Sequence, residues 1–325
     1  MTKIKDIGEQ GLLKIVQQFC PSEVVGDDAA LVKVEADQSL VVTTDVLVDG
    51  VHFSDRTMTA ADVGWRAIAT NLSDIAAMGA TPLGVTIGLS LPPELEVSWV
   101  ENLYQGLFSC VQNYHTVILG GDLTRSPVIT LAITALGQVK PKRVISRYDA
   151  QVGDAIVVTG LHGSSRAGLE LLLNPDFLPH IDITSKNRLI QAHQRPQPRL
   201  DCVELLQNLT HQPTHIGGMD SSDGLADALI QICRCSQVGA EINSQQIPID
   251  RELTQLISQP QALELALYGG EDFELVLTLE PDLACELITK LGGNAAIIGI
   301  ITPNSTVKIT DLDLELTLEK GFQHF

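Results

Sequence analysis

Residues 41–53, Val-Val-Thr-Thr-Asp-Val-Leu-Val-Asp-Gly-Val-His-Phe, place an acid where a fold tolerates it least. Val41 to Val48 is β-branched and apolar apart from Thr43, Thr44 and Asp45, which predicts a mostly buried strand with polar groups partway along it. A carboxylate in such a strand costs several kcal/mol unless something pairs with it. Asp28, Asp74, Asp122, Asp220 and Asp223 stand in similarly Gly-rich or apolar surroundings, and no matching set of Lys and Arg accompanies them. The partner these acids share, on this reading, is a group of divalent cations, and such cations bring a nucleotide with them.

The chain of 325 residues is long enough for two domains, and 44% hydrophobic residues make it globular rather than disordered. Its 21 Lys+Arg against 40 Asp+Glu give a formal charge of −19, which argues against nucleic acid or an anionic membrane surface as the main partner. No signal peptide is visible and no apolar stretch approaches the roughly 20 residues of a membrane span, so a cytoplasmic protein is expected. The six cysteines are scattered without C-x-x-C pairs and read as reduced, mostly core thiols.

Taken in order, the pattern predicts a helix over 7–19, then a Gly26-Asp27-Asp28 turn that by itself could be ordinary polar surface. Thr59-Ala-Ala-Asp62 resembles a capping box opening a helix through Met78, on which Asn71 and Asp74, three apart, share a face. Strand-like Leu83 to Leu91 follows, then a capping box at Ser98 and Glu101 ahead of an amphipathic helix. Thr116 to Leu119 reads as a short strand entering a Gly120-Gly121 turn before Asp122. After a strand over 128–139, Lys140-Pro141-Lys142-Arg143 suits an inter-domain linker.

Beyond it, strand Ala155–Thr159, the turn Gly160-Leu-His-Gly163 and a helix from Ser165 have the outline of a phosphate loop without its motif; an ordinary βα turn is the simpler reading. Asp220-Ser221-Ser222-Asp223-Gly224 precedes another helix, with Ser222 or Asp223 as its expected cap and free N–H groups suited to an anion. Tyr268-Gly269-Gly270-Glu271-Asp272 precedes strand Phe273–Leu279, and Asp311 to Leu318 alternates as a strand would. Strands and helices alternate throughout, which points to two α/β-type domains.

Carboxylates about 5 Å apart repel by roughly 3 kcal/mol at an effective dielectric near 20, so six in one cleft need proton sharing or metal. Oxygen ligands without a His/Cys set favour Mg²⁺ or Mn²⁺ over zinc. Dispersed surface acids in a simply acidic protein are the competing reading.

Gly26-Asp-Asp-Ala-Ala, Thr43-Thr-Asp-x-x-x-Asp-Gly-x-His52-Phe, Asn71-Leu-Ser-Asp-Ile-Ala-Ala-Met-Gly-Ala80, Gly120-Gly-Asp-Leu-Thr124, Asp220-x-Ser-Asp-Gly-Leu225, Gly269-Gly-Glu-Asp-Phe-Glu274 and Lys320-Gly-Phe-x-His-Phe325 follow one another over nearly the whole chain. In that order they resemble the thiamine-monophosphate kinases of the aminoimidazole ribonucleotide synthetase-like ATP-binding superfamily. The resemblance implies an α/β and α+β, two-domain fold. Residues 1–140 would be an N-terminal mixed-sheet domain with helices that binds metal and ATP and dimerises. Residues 150–325 would be a C-terminal α/β domain completing the active site.

It also implies ATP-dependent phosphorylation of thiamine monophosphate to thiamine diphosphate, the last step of making that cofactor, in a homodimer. Several Mg²⁺ ions would be held by Asp28, Thr43, Thr44, Asp45, Asp74, Asp122, Asp220 and Asp223. ATP would meet Tyr104, Gly121, Asp122, Arg147 and Ser222, and thiamine monophosphate would meet His52, Glu271 and Phe322. No residue is implied as a general base, since the acceptor is already an ionised phosphate oxygen. Two positions depart from the family pattern: Tyr148-Asp149 follows Arg147 where a small pair is usual, and Phe322 stands for the commoner Tyr or Trp. The rivals are an amide- or selenophosphate-forming enzyme of the same superfamily, or a non-catalytic sensor of Mg-nucleotide or thiamine phosphate.

Overall fold

The computed structural model describes residues 2–21, 29–209 and 215–321. The chain divides into two compact units, Met1–Ile75 with Thr81–Val139, and Ala76–Ala80 with Lys140–Phe325.

In the first unit, α1 (Ile4–Val16) is followed by β1 (Ser39–Val48), α2 (Ala60–Ala77, its last two residues counted with the second unit), β2 (Thr81–Leu91), α3 (Val97–Asn113), β3 (Ile118–Arg125) and β4 (Thr130–Val139). The strands form one sheet in the order β1-β4-β2-β3, antiparallel except between β2 and β3. Val85, Ile87 and Leu89 on β2 and Leu131, Ile133 and Ala135 on β4 recur in period two and are buried together with Ile68, Leu72 and Ile75 of α2 and Val100, Leu103 and Leu107 of α3. α2 and α3 touch backbone to backbone, for a β-carbon on Gly64 would strike the carbonyl of Leu103 and one on Gly106 that of Ala61. The predicted cap of α2 is present, with Thr59 Oγ1 donating to Asp62 Oδ2 at 2.6 Å.

Several expectations are corrected here. β1 is an edge strand bonded to β4 alone, and it is half buried rather than mostly buried. Leu47 on one face is 4% exposed, while Leu40, Val42 and Val46 on the other are 50%, 57% and 47% exposed, because the helices of the first unit's described residues pack on the Leu47 face. Gly120 and Gly121 lie within β3 and not in a turn, since the strand runs through Asp122 to Arg125. Ser98 is inside α3, whose N-cap is Glu96. The alternation over 311–318 resolves into a 3₁₀ turn, Thr310–Leu312, and the two-residue strand Leu314–Glu315, since alternation alone does not supply a partner strand of that length.

The second unit contains β5 (Ala155–Val158), α4 (Ser164–Leu173), α5 (Ile183–Gln194), α6 (Leu200–Leu209), β6 (Gly217–Asp220), α7 (Leu225–Ser236), β7 (Gly239–Ile242), α8 (Arg251–Leu256), α9 (Gln259–Tyr268), β8 (Leu275–Leu279), α10 (Pro281–Leu291), β9 (Ala296–Thr302), β10 (Val307–Ile309) and β11 (Leu314–Glu315). Its seven strands are ordered β11-β10-β7-β9-β5-β8-β6. β5 is buried on both faces: Ile156 and Val158 join a core with Leu225, Leu229 and Ala266, and Ala155 and Val157 join another with Val203, Leu206 and Leu287. Helices therefore cover both sides of this sheet, which explains why β5 and β8 read as continuous apolar runs. The cysteines are free, as expected, but Cys110, Cys202 and Cys233 are buried whereas Cys20 and Cys235 are partly so and Cys285 is exposed.

Candidate functional site

In the first unit, alternation along β1 separates the predicted ligands. Thr43 and Asp45 face α2, where Thr43 Oγ1 donates to Asp74 Oδ2 at 2.5 Å and the Asp45 backbone N–H donates to Asn71 Oδ1 at 3.2 Å. Asn71, fully buried, returns its amide to the Ala67 carbonyl at 3.0 Å. The three-residue spacing of Asn71 and Asp74 thus does bring both to β1, one turn of helix apart. Thr44 points to the opposite face, its hydroxyl 2.8 Å from that of Thr134.

Asp122 lies across from Gly88 on β2, which in turn lies across from Ala132, so by register it shares the open face with Thr44 rather than the helix face with Asp45. It is exposed. Gly121 beside it accepts no side chain, since a β-carbon would collide with the Ile87 carbonyl. His52 follows a tight turn at Gly50 (φ +80°) and takes the Val48 N–H on Nδ1 at 3.1 Å. Tyr104 is 4% exposed and packs on Phe19 with ring centroids 5.5 Å apart; burial raises its hydroxyl pKa.

In the second unit, two loops are laced together. β6 ends at buried Asp220, whose Oδ1 accepts from Ser222 Oγ at 3.3 Å. Ser221 donates its N–H to the Glu274 carbonyl at 2.8 Å and accepts the Glu274 N–H on Oγ at 3.2 Å. Glu271 donates its N–H to the Ser222 carbonyl at 2.6 Å. Glu271 and Phe273 hold left-handed φ values of +61° and +54°, a costly conformation for residues with side chains and one that clusters at functional sites. The N-cap of α7 is Gly224, without a side-chain cap bond, instead of the expected Ser222 or Asp223. Asp223 and Arg147 are exposed.

Asp272 and Glu274 stand in the Gly269–Glu274 motif, which assigns a role to Glu271 alone; with Arg199, which no motif includes, they hold this loop. Asp272 accepts the backbone N–H of Gly163 at 2.6 Å and of Ser165 at 2.9 Å, closing the N-terminus of α4. The phosphate-loop outline of Gly160–Gly163 is thus an ordinary βα turn, with the Gly163 N–H taken by this carboxylate and the His162 N–H by the Pro248 carbonyl at 3.0 Å. Burial pushes the Asp272 carboxyl up to about 7 against those two donors. Glu274 Oε2 accepts from Thr159 Oγ1 at 2.5 Å and from Arg199 Nη1 at 2.6 Å. Their only trace in the sequence is the acid-rich run after Gly269-Gly270; Arg199 leaves none. These side chains also line a cavity of about 450 Å³ with Gly160, Ser164 and Arg195.

Asp28 and Phe322 lie outside the described residues. Among the described residues no group of three or more His, Cys, Asp or Glu is placed to hold a metal ion, and no helix is long and apolar enough to cross a membrane. The oxygen-only character of Thr43, Asp45 and Asp74 nevertheless suits a hard cation that keeps water and phosphate among its ligands.

Residues 26–139 match the model of the AIR synthase related protein N-terminal domain, and residues 151–311 that of the C-terminal domain. A protein of Synechococcus elongatus named thiamine-monophosphate kinase is 51% identical over 99% of this chain and 98% of its own. The crystal structure of thiamine-monophosphate kinase from Stenotrophomonas maltophilia is 36% identical with a TM-score of 0.78, covering 87% of this chain and 89% of that one. A structure described as AaThiL complexed with AMPPCP and TMP is 33% identical with a TM-score of 0.76, covering 100% and 99%.

Proposed function

The chain belongs to the thiamine-monophosphate kinase family, within the AIR synthase related proteins, and we propose that it transfers the γ-phosphate of ATP directly to the phosphate of thiamine monophosphate, releasing thiamine diphosphate and ADP. The observation that carries this reading is the similarity to kinases of that name along essentially the full length of both chains.

Two anionic substrates meet a chain of charge −19 that has no phosphate-loop lysine. Mg²⁺ bound with the substrates would neutralise the phosphates and align them for in-line displacement. Asp45, Thr43 and Asp74 on the helix face of the first sheet, Thr44 and Asp122 on its open face, and Asp220 and Asp223 in the second unit are the oxygen donors assigned to it, with Asp28. Donors on both faces of the first sheet suit more than one ion, each completed by substrate oxygens.

The remaining chemistry is positioning. His52 uses Nδ1 to accept a backbone N–H, so in the neutral ring the proton sits on Nε2. Such a ring donates a hydrogen bond to a substrate and is not poised to take a proton from it. That fits an acceptor whose attacking oxygen is already ionised. Glu271 and Phe322 complete the assignment for thiamine monophosphate. For ATP, Gly121 offers backbone without a side chain in the way, Arg147 an exposed guanidinium, and Ser222 and Asp122 polar contacts, while buried Tyr104 serves as packed support.

Leu40, Val42 and Val46 form an apolar row on an edge strand, the kind of surface a monomer rarely leaves open. A second copy of the chain covers it in this reading, giving a homodimer through the first unit. The purified protein incubated with ATP, Mg²⁺ and thiamine monophosphate should form ADP and thiamine diphosphate in equal amounts, and EDTA should abolish both. ATP binding without thiamine diphosphate would leave the fold and discard the acceptor.

A further inference from the structure

His193 is a buried imidazole to which nothing above gives a task. It lies in the last turn of α5, 2% exposed, with Nδ1 at 3.2 Å from Ser165 Oγ and 3.5 Å from Glu271 Oε2. Its place is fixed by a helix crossing: a β-carbon on Gly168 of α4 would strike the Leu189 carbonyl of α5, so the two helices touch there. Ser165 is one turn before Gly168 and His193 one turn beyond Leu189, each on the contacting face of its helix. Gly269 is wedged as well, as its β-carbon would stand 2.7 Å from Arg166 Cβ, which brings the Glu271 loop onto the start of α4.

A carboxylate can only accept, so a ring nitrogen aimed at Glu271 is favourable when that nitrogen carries a proton. The arrangement superficially contains Ser, His and Glu, but both partners meet the same nitrogen, so it is not a relay in which an acid orients one nitrogen while the other activates a hydroxyl. Ser165 is fully buried besides, without surface for a substrate.

We propose that His193 is a positioning residue that fixes the rotamer of the Glu271 carboxylate and thereby sets affinity for the organic part of thiamine monophosphate; this rests on the assignment of Glu271 to that substrate. The Glu271 side chain is 35% exposed and the backbone around it is held through Ser222, so the carboxylate is the one part of the residue left for a neighbour to aim.

The test uses the full chain with His193→Leu, His193→Asn, whose amide nitrogen stands where Nδ1 does, and Glu271→Ala. His193→Leu should raise KM for thiamine monophosphate about tenfold with KM for ATP unchanged, and His193→Asn should restore most of the loss. Glu271→Ala should raise the same KM at least as much, and adding His193→Leu to it should bring no further rise. Equal KM values for the Leu and Asn variants, with only Tm lowered, would reduce His193 to core packing and overturn the inference. An unchanged KM in Glu271→Ala would instead remove the assignment beneath it. Should His193→Leu not fold, His193→Gln, whose amide falls beyond the Nδ1 position, takes its place.

Discussion

Arg199 and Glu274 meet at 2.6 Å inside the second unit, and the same guanidinium nitrogen reaches the Thr159 carbonyl. Burial works against charge on both: it lowers the arginine pKa, which Asp201 and Glu274 more than offset, and it raises the glutamate in spite of Arg199. Since the Glu274 backbone pairs with Ser221, the ion pair braces the loop of Asp220 and Ser222 from behind.

Arg199→Met should therefore lower stability by about 2–4 kcal/mol, because Glu274, only 17% exposed, is left as a carboxylate without its cation. Urea denaturation measures this, and a midpoint within error of the wild type would show that the pair contributes nothing. The double change Arg199→Met with Glu274→Gln should recover part of the loss.

Asp272 predicts a pH effect. Burial sets its folded value at about 7, whereas the unfolded chain releases that proton near pH 4. The group's contribution to stability is complete below the unfolded value and is lost as pH rises toward the folded one. Relative to Asp272→Asn, the wild type should lose about 1.4 kcal/mol per pH unit between about pH 5 and pH 6.5. Urea denaturation across that range checks it, and a constant difference between the two proteins would contradict it.

The acids of the first unit are predicted to serve turnover more than folding. Asp45→Asn and Asp74→Asn should each reduce kcat by about two to three orders of magnitude and shift Tm little. A sensor would show altered Mg-nucleotide affinity without turnover to lose, so the assay and a binding titration on the same variants separate the two readings.

The proposed homodimer is tested at Val42, 57% exposed at the middle of the apolar row on β1. Val42→Lys should convert a dimer into monomers in sedimentation velocity without unfolding the chain. A wild-type monomer at micromolar concentration would remove the dimer from the account.

The sequence carried the sheet-and-helix alternation because period-two and helical patterns are local, and it put Asn71 and Asp74 on one helix face because three-residue spacing has one meaning on a helix; that this face meets Thr43 and Asp45 of β1 came only with the structure. It did not carry burial. Val41 to Val48 reads the same whether its outer face meets a core or stands open, and only the strand order makes β1 an edge. Nor could it show that Gly120-Gly121 is extended, since the partner that demands glycine there, the Ile87 carbonyl, is distant in sequence. The partners of Arg199, Asp272 and His193 are invisible in sequence for the same reason: each acquires them from another element, and no spacing announces them.

The central claim is direct transfer between two phosphates, and terminally radiolabelled ATP tests it most directly. With Mg²⁺ and thiamine monophosphate, label should appear only in the outer phosphate of thiamine diphosphate, in step with ADP, and unphosphorylated thiamine should remain unlabelled. Label released as inorganic phosphate without labelled thiamine diphosphate would contradict the account.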